Sequence, residues 1–163
     1  MERLSYSMEN KLKFIKRHTI YVMAVTLIVF FQGCHFTTGY INKEEDQVDG
    51  KSFLNRFYNS IKTYNYSDID KLTSDTLRKV MGGDSLSKMC SRISHKIGSF
   101  KTYTITEFFI KREEGKSLVV TYSYKLKVVY EKGATDEFLR LRKQDQLPIK
   151  LISYKVYSDL LTH

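Results

Sequence analysis

The sequence contains few of the residues on which metal and disulfide sites depend. Its 163 residues include two cysteines and four histidines, and the histidines are scattered along the chain. Scattered histidines offer no set of zinc ligands. Three aspartates lie within eight residues, but no Asp-x-Asp-x-Asp-Gly calcium loop follows them, so we interpret them as helix caps and turns. The residues concerned are His18, His35, His95, His163, Asp68, Asp70 and Asp75.

The sequence also marks no catalytic acid–base pair. His95 has neither a paired acid nor a second ligand nearby, so we expect it to be a surface or structural residue. We therefore expect a binding or interaction domain, with no metal or other cofactor, rather than an enzyme. A carboxylate facing an imidazole or a hydroxyl in the interior would favour an enzyme instead.

The basic charge is moderate and dispersed. The chain has a formal net charge of +9, but residues 1–34 hold five Lys/Arg against two Asp/Glu, which leaves +6 for the remainder. Lysine and arginine alternate with acidic residues through most of the chain, whereas nucleic-acid binders concentrate positive charge on one element. We expect no nucleic-acid partner and interpret the surplus as a solvated surface with some attraction for anionic lipid headgroups.

One stretch, from Lys11 to Cys34, has the order of an export signal. A cationic lead is followed by an almost purely apolar run from Ile20 to Phe31 and then by Gly33 and Cys34. The apolar run is shorter than the ~20 residues that cross a bilayer comfortably. Because the positive charges precede the run, the amino end is expected on the cytoplasmic side and the following domain outside the cytoplasm.

The end of this stretch resembles the lipobox of bacterial lipoprotein precursors, in which the cysteine is lipidated and becomes the first mature residue. The resemblance implies a signal peptide over 1–34, lipidation at Cys34 and a membrane-anchored protein of the cell envelope. Phe31 and Gln32 depart from the pattern, since leucine and a small residue are usual there. The alternatives are an uncleaved signal anchor, an ordinary secretory signal or a core segment.

Cys90 is the second cysteine and falls on the apolar side of a helical pattern. Free cysteine is among the most buried residue types, so we expect it to pack in the core. If Cys34 is lipidated, Cys90 is left alone, and if the anchor stays uncleaved, a disulfide with Cys34 is not expected, because Cys34 would lie at the membrane surface.

After the signal the chain divides into a tether and one domain. Residues 35–50 are polar and without periodicity, which favours a flexible tether. From residue 51 to 163 we expect a single domain that begins with an amphipathic helix, whose apolar positions are spaced as one helical stripe. Two short helical segments and a longer helix ending at Gly98 follow. The stripe consists of Phe53, Leu54, Phe57, Tyr58 and Ile61.

Beyond Gly98 the apolar period changes from that of a helix to that of a strand. Four strands are predicted, over Tyr103–Ile110, Ser117–Tyr130, Ala134–Arg142 and Pro148–Tyr157, joined by short connections. The second has seven alternating apolar residues, which is a strong strand signal. Short connections between such strands indicate an antiparallel meander.

Helices followed by long strands predict an α+β fold with the helices packed on one face of a four-stranded antiparallel sheet. This order over residues 51–158 resembles the NTF2-like (cystatin-like) superfamily, in which a long first helix lies in the concavity of a curved sheet. The resemblance implies a cone-shaped domain. It is one of element order and includes no invariant motif.

Two groups of residues are candidate binding sites. Tyrosines, with Phe108 or Phe109, are expected around the mouth of the cone, where they would line a pocket or form the core with their hydroxyls in water. On the second and third predicted strands, basic residues alternate with the apolar ones and are expected to form a patch on the outer sheet face. Such a patch would serve solvation, or it would bind an acidic partner or a phospholipid surface. The tyrosines are Tyr58, Tyr103, Tyr122, Tyr124 and Tyr154, and the patch is Lys125, Lys127, Arg140 and Arg142.

Overall fold

The computed structural model describes residues 37–82 and 85–161. In this part of the chain four helices pack on one face of a five-stranded antiparallel sheet. The predicted α+β class is confirmed. The sheet has one strand more than the four predicted, because residues 38–41 form an additional edge strand.

The strands pair in sequence order, each antiparallel to the next, so the predicted meander is confirmed. A short 3-10 turn, Asp159–Leu161, follows the last strand. In chain order the elements are β1 (Thr38–Ile41), α1 (Glu44–Lys62), α2 (Tyr66–Leu72), α3 (Asp75–Met81), α4 (Leu86–Ile97), β2 (Phe100–Glu114), β3 (Leu118–Tyr130), β4 (Gly133–Gln144) and β5 (Lys150–Tyr157).

The tether predicted over residues 35–50 is wrong from residue 38 onward, and the domain does not begin at residue 51. β1 pairs with Lys111–Glu114 at the end of β2, and α1 begins at Glu44. The buried positions in the first two turns of α1 are Asp46 and Gly50. Because neither residue is apolar, the helical stripe could not be read upstream of Phe53.

The core forms between α1, α4 and the inner face of the sheet. All five residues of the predicted α1 stripe are at most 1% exposed. Along β3 the predicted alternation is also confirmed, since every second residue from Val120 to Tyr130 is buried. The inward residues of β3 are Val120, Tyr122, Tyr124, Leu126, Val128 and Tyr130.

Serine side chains cap the starts of α3 and α4, and α4 ends at Gly98 as predicted. Ser74 accepts a hydrogen bond from the Leu77 amide at the start of α3, and Ser85 caps α4 in the same way. These bonds satisfy amides that have no partner within the helix. Gly98 ends α4 with a φ of 88°, a conformation that glycine adopts without a Cβ penalty. Cys90 is 2% exposed, which confirms its predicted place in the core.

The predicted signal, its apolar run and the lipidation site Cys34 lie outside the described residues. Within residues 37–82 and 85–161, no helix combines the length and apolar character that crossing a membrane requires.

Candidate functional site

The five tyrosines predicted to line one pocket lie in three different environments. Tyr58 and Tyr154 hydrogen-bond to the buried side chain of Glu137. Tyr103 donates to Asn55 Oδ1 on α1 over 2.7 Å. Tyr122 and Tyr124 are buried beneath α1, and their hydroxyls have no hydrogen-bond partner in the described structure. The tyrosines therefore belong mainly to the core.

Glu137 is the centre of a buried polar cluster that the sequence analysis did not identify. Its Oε2 accepts from Tyr58 over 2.8 Å and from Tyr154 over 2.6 Å. Its Oε1 accepts from Tyr130 over 3.0 Å and from Thr135 over 2.8 Å. Each oxygen thus receives two hydroxyl donors, and the side chain has no solvent exposure.

Burial controls the protonation of this cluster. Removal from water raises the pKa of Glu137 above its ordinary value, although the four hydroxyls partly oppose the shift by stabilising the carboxylate. Burial also raises the pKa values of Tyr58 and Tyr154, and the adjacent carboxylate raises them further. The tyrosines therefore remain neutral hydrogen-bond donors at ordinary pH.

The cluster ties together four elements of the fold. Tyr58 comes from α1, Tyr130 from β3, Glu137 from β4 and Tyr154 from β5. Because the protein's own hydroxyls occupy both carboxylate oxygens, the group is arranged for structure rather than for contact with a substrate. The alternation along β4 could have identified Glu137 as a core-facing residue, since it lies on the same side of the strand as Leu139 and Leu141.

A second buried polar contact fixes the start of α1 to the sheet. Arg112 of β2 donates to both carboxylate oxygens of Asp46, over 2.8 Å in each case. Asp46 is completely buried and Arg112 is 9% exposed. Glu45 and Glu114 extend the pair toward solvent. Such a two-pronged arginine–carboxylate pair fixes orientation as well as distance.

A surface depression of about 270 Å³, which we call the β2 groove, lies between α1 and the inner face of β2 and β3. Phe108 forms part of its wall and is 42% exposed. Lys51 has no ion partner in the described structure, and Tyr124 contributes to the wall, while its hydroxyl is buried beneath α1. Apolar walls and a cation suit an apolar ligand that carries a carboxylate. The groove is lined by Gln47, Lys51, Ile105, Thr106, Phe108 and Tyr124.

The groove adjoins a free strand edge. β1 covers β2 only along Lys111–Glu114, and Asn42 then binds both the amide and the carbonyl of Ile110. From Phe100 to Phe109 the same edge pairs with no strand in the described part of the chain. Exposed strand edges can accept an added strand from a partner.

The predicted basic patch lies on the outer face of the sheet, but its four members differ. Lys125 is held by Glu107 over 2.9 Å, and Lys127 is held by Asp136 over 3.3 Å. Arg140 and Arg142 are exposed and have no ion partner among the described residues. The free charge is thus concentrated on β4. Phe109 also lies on the outer face, opposite Ser123, whereas Phe108 lies on the inner face, opposite Tyr124.

The remaining candidates have local roles. Asp68 pairs with Lys71, and Asp75 pairs with Arg78 one turn along α3. Asp70 accepts from the amide and hydroxyl of Ser87, which joins α2 to the start of α4. His95 is exposed. In the described ranges no three metal-ligating side chains come together.

Comparisons of the chain with protein-family models, with curated proteins and with solved structures found no match.

Proposed function

We propose that this chain is a membrane-anchored lipoprotein of the bacterial cell envelope whose folded domain binds a partner outside the cytoplasm without catalysing a reaction. The anchor is supported by the order of a cationic lead, the apolar run Ile20 to Phe31 and the Gly33-Cys34 pair. The acyl chains on Cys34 would hold the protein at the membrane, since each buried methylene contributes ~0.8 kcal/mol.

The binding role rests on one observation, the β2 groove beside the uncovered edge of β2. Among the described residues, an exposed phenylalanine and a lysine without an ion partner meet there, beside a strand edge that can accept further pairing. An apolar ligand with a carboxylate would cover the ring and neutralise the lysine. The helices-then-strands order is compatible with an NTF2-like domain.

The interior favours binding over catalysis. Glu137 does face tyrosine hydroxyls, which is one geometry that would favour an enzyme. Its two oxygens, however, are each engaged by two donors of the protein, and the side chain has no exposure. A general acid or base has to come within hydrogen-bond reach of a substrate.

The alternative is a bitopic component of an envelope or secretion assembly that keeps its signal as an uncleaved anchor. Replacing Cys34 with serine separates the two. For a lipoprotein, incorporation of labelled palmitate is lost and the unprocessed precursor accumulates. An unchanged chain length and membrane association in Cys34→Ser, with no label in the parent protein, would support the bitopic form.

The groove is tested by placing a photo-crosslinking amino acid at Phe108 in the full-length protein in its membrane. Val80, which is 79% exposed on α3, is the matched control position. We expect a discrete adduct from position 108 and none from position 80, and we expect Lys51→Glu to abolish the adduct. Equal crosslinking from both positions, or an adduct unaffected by Lys51→Glu, would show that the groove is not the binding site.

A further inference from the structure

The outer face of the sheet, which points away from the helices, carries an excess of unneutralised positive charge. Its acidic residues are occupied, since Glu107 pairs with Lys125 and Asp136 with Lys127. Glu113 likewise pairs with Lys111 over 2.9 Å. Three exposed cations of this face have no ion partner in the described structure, namely Arg140, Arg142 and Lys155.

Aromatic rings lie among these cations. Phe138 of β4 is 36% exposed and Tyr157 of β5 is 57% exposed, and their ring centroids are 5.6 Å apart at 88°. A solvated face that served only to prevent aggregation would not need exposed rings beside its charges. Rings interspersed with basic residues are typical of surfaces that enter the headgroup region of a bilayer.

The cations and rings meet at a depression of about 450 Å³, which we call the outer-face pocket. Arg140 and Lys155 supply charged donors, Ser123 and Ser153 supply hydroxyls, and the two rings supply apolar walls. A phosphate group attached to an apolar body matches this combination. The lining therefore suits the phosphate of a lipid headgroup.

We propose that the outer face docks on the surface of an anionic bilayer and that the outer-face pocket receives a phospholipid headgroup. The proposal rests on the proposed function, because an anchor would keep the domain at high effective concentration over the membrane. Docking by the outer face leaves the β2 groove, on the opposite side of the sheet, open to a partner. Each cation near an anionic surface contributes about 1 kcal/mol, which is about fivefold in the ratio of docked to undocked protein.

The sequence contains no tryptophan, so a single introduced tryptophan reports its own surroundings. Tyr157→Trp places the reporter on the outer face. Tyr64→Trp, beyond the end of α1 at a position 58% exposed, is the control. Full-length protein would be reconstituted into vesicles of phosphatidylcholine alone or with phosphatidylglycerol, with brominated lipid as the quencher.

Docking predicts a blue-shifted, lipid-quenched emission for Tyr157→Trp in anionic vesicles only, and no quenching for Tyr64→Trp. Arg140→Gln with Lys155→Gln should lower the docked ratio roughly twenty-five-fold. The same loss of charge in Lys62→Gln with Lys79→Gln, away from the face, should change it little. Sodium chloride should weaken docking as ionic strength rises, because salt screens the attraction between the cations and the anionic surface.

Three results would overturn docking. Quenching that is equal at positions 157 and 64 would mean nonspecific contact with the bilayer. A blue shift that needs no anionic lipid and grows with protein density would mean that a second copy covers the face. Saturable binding of inorganic phosphate to the protein without vesicles, with no blue shift or quenching on anionic vesicles, would mean a site for the free anion. None of these results depends on export, so a cytosolic chain would refute the anchor and leave this measurement intact.

Discussion

Gly50 of α1 lies directly over the hydroxyl of Tyr124 in β3. A Cβ added at residue 50 would stand 1.9 Å from that oxygen and 3.0 Å from the Tyr122 ring. The helix can approach the sheet this closely only because residue 50 has no side chain. The contact also shields the Tyr124 hydroxyl, which has no hydrogen-bond partner in the described structure.

Gly50→Ala is therefore expected to lower the free energy of unfolding by about 1–3 kcal/mol, the usual range for overpacking. Alanine's better helix propensity, worth up to about 1 kcal/mol, offsets only part of this loss. Urea denaturation measures the change. Tyr124→Phe should be neutral or stabilising, since it removes an unsatisfied buried hydroxyl.

The double variant tests whether residues 50 and 124 constrain each other directly. Gly50→Ala combined with Tyr124→Phe should be less destabilised than the sum of the single changes, because the phenyl ring lacks the oxygen that meets the new Cβ. Additive effects would show that the two residues do not constrain each other.

The Glu137 cluster predicts a particular dependence of stability on pH. Because burial raises the pKa of Glu137 above its ordinary 4.5, the folded state holds the proton more tightly than the unfolded chain does. The contribution of Glu137 to stability therefore falls as pH rises from about 4.5 to the raised value, and is constant above it. Glu137→Gln stays neutral, so its stability relative to the parent should increase across that window in urea titrations.

Comparing Glu137→Ala with Glu137→Gln tests whether the cluster needs a polar group at residue 137. Glu137→Ala leaves three tyrosine hydroxyls and Thr135 without their acceptor, so a loss of about 3–5 kcal/mol is expected. Glu137→Gln keeps a polar group in place and should cost less. If alanine and glutamine were equally tolerated, the cluster would not be holding α1 to the sheet.

Periodicity predicted most of the elements because it reports which residues share a buried face. The stripe on α1 and the alternation along β3 are single-element patterns, and both are confirmed. β2 extends beyond its predicted bounds at both ends, because Lys101 and Thr102 at its start and Lys111 and Glu113 at its end give no apolar alternation. A strand with one open edge and one open face carries a weak signal.

The alternation of β4 marks Glu137 as core-facing, but the roles of the polar sites could not be predicted, because each depends on a partner far along the chain. Asp46 is explained by Arg112, 66 residues later, and Glu137 by Tyr58, 79 residues earlier. In the sequence alone, a carboxylate at a core-facing position only interrupts the apolar periodicity, because its hydrogen-bond donor is not identified. For the same reason the first two turns of α1, whose buried positions are Asp46 and Gly50, show no apolar stripe in the sequence.

The buried tyrosines predict loss of stability in alkali. Burial raises the pKa of Tyr124 to about 12, and burial also raises that of Tyr130. Above about pH 10 the unfolded chain releases phenolic protons that the folded state retains, so stability falls as pH rises further. Tyrosinate absorbance from these residues should therefore appear together with loss of the circular dichroism signal. Their ionisation while the fold persists would contradict the described burial.

The Arg112–Asp46 pair should be much more important for stability than the exposed pair on the next turn of the same helix. Asp46→Ala leaves a buried guanidinium without its main partner, and breaking such a pair typically costs about 3–5 kcal/mol. Asp49 and Lys143 also join α1 to the sheet, over 2.7 Å, but their side chains are 43% and 25% exposed. Asp49→Ala is therefore expected to cost at most about 1 kcal/mol.

Added salt should weaken the Asp49 pair and leave the Asp46 pair nearly unchanged in urea denaturation, because solvent ions screen only exposed charges effectively. Equal losses in the two variants would mean that α1 is not fixed to the sheet through Asp46.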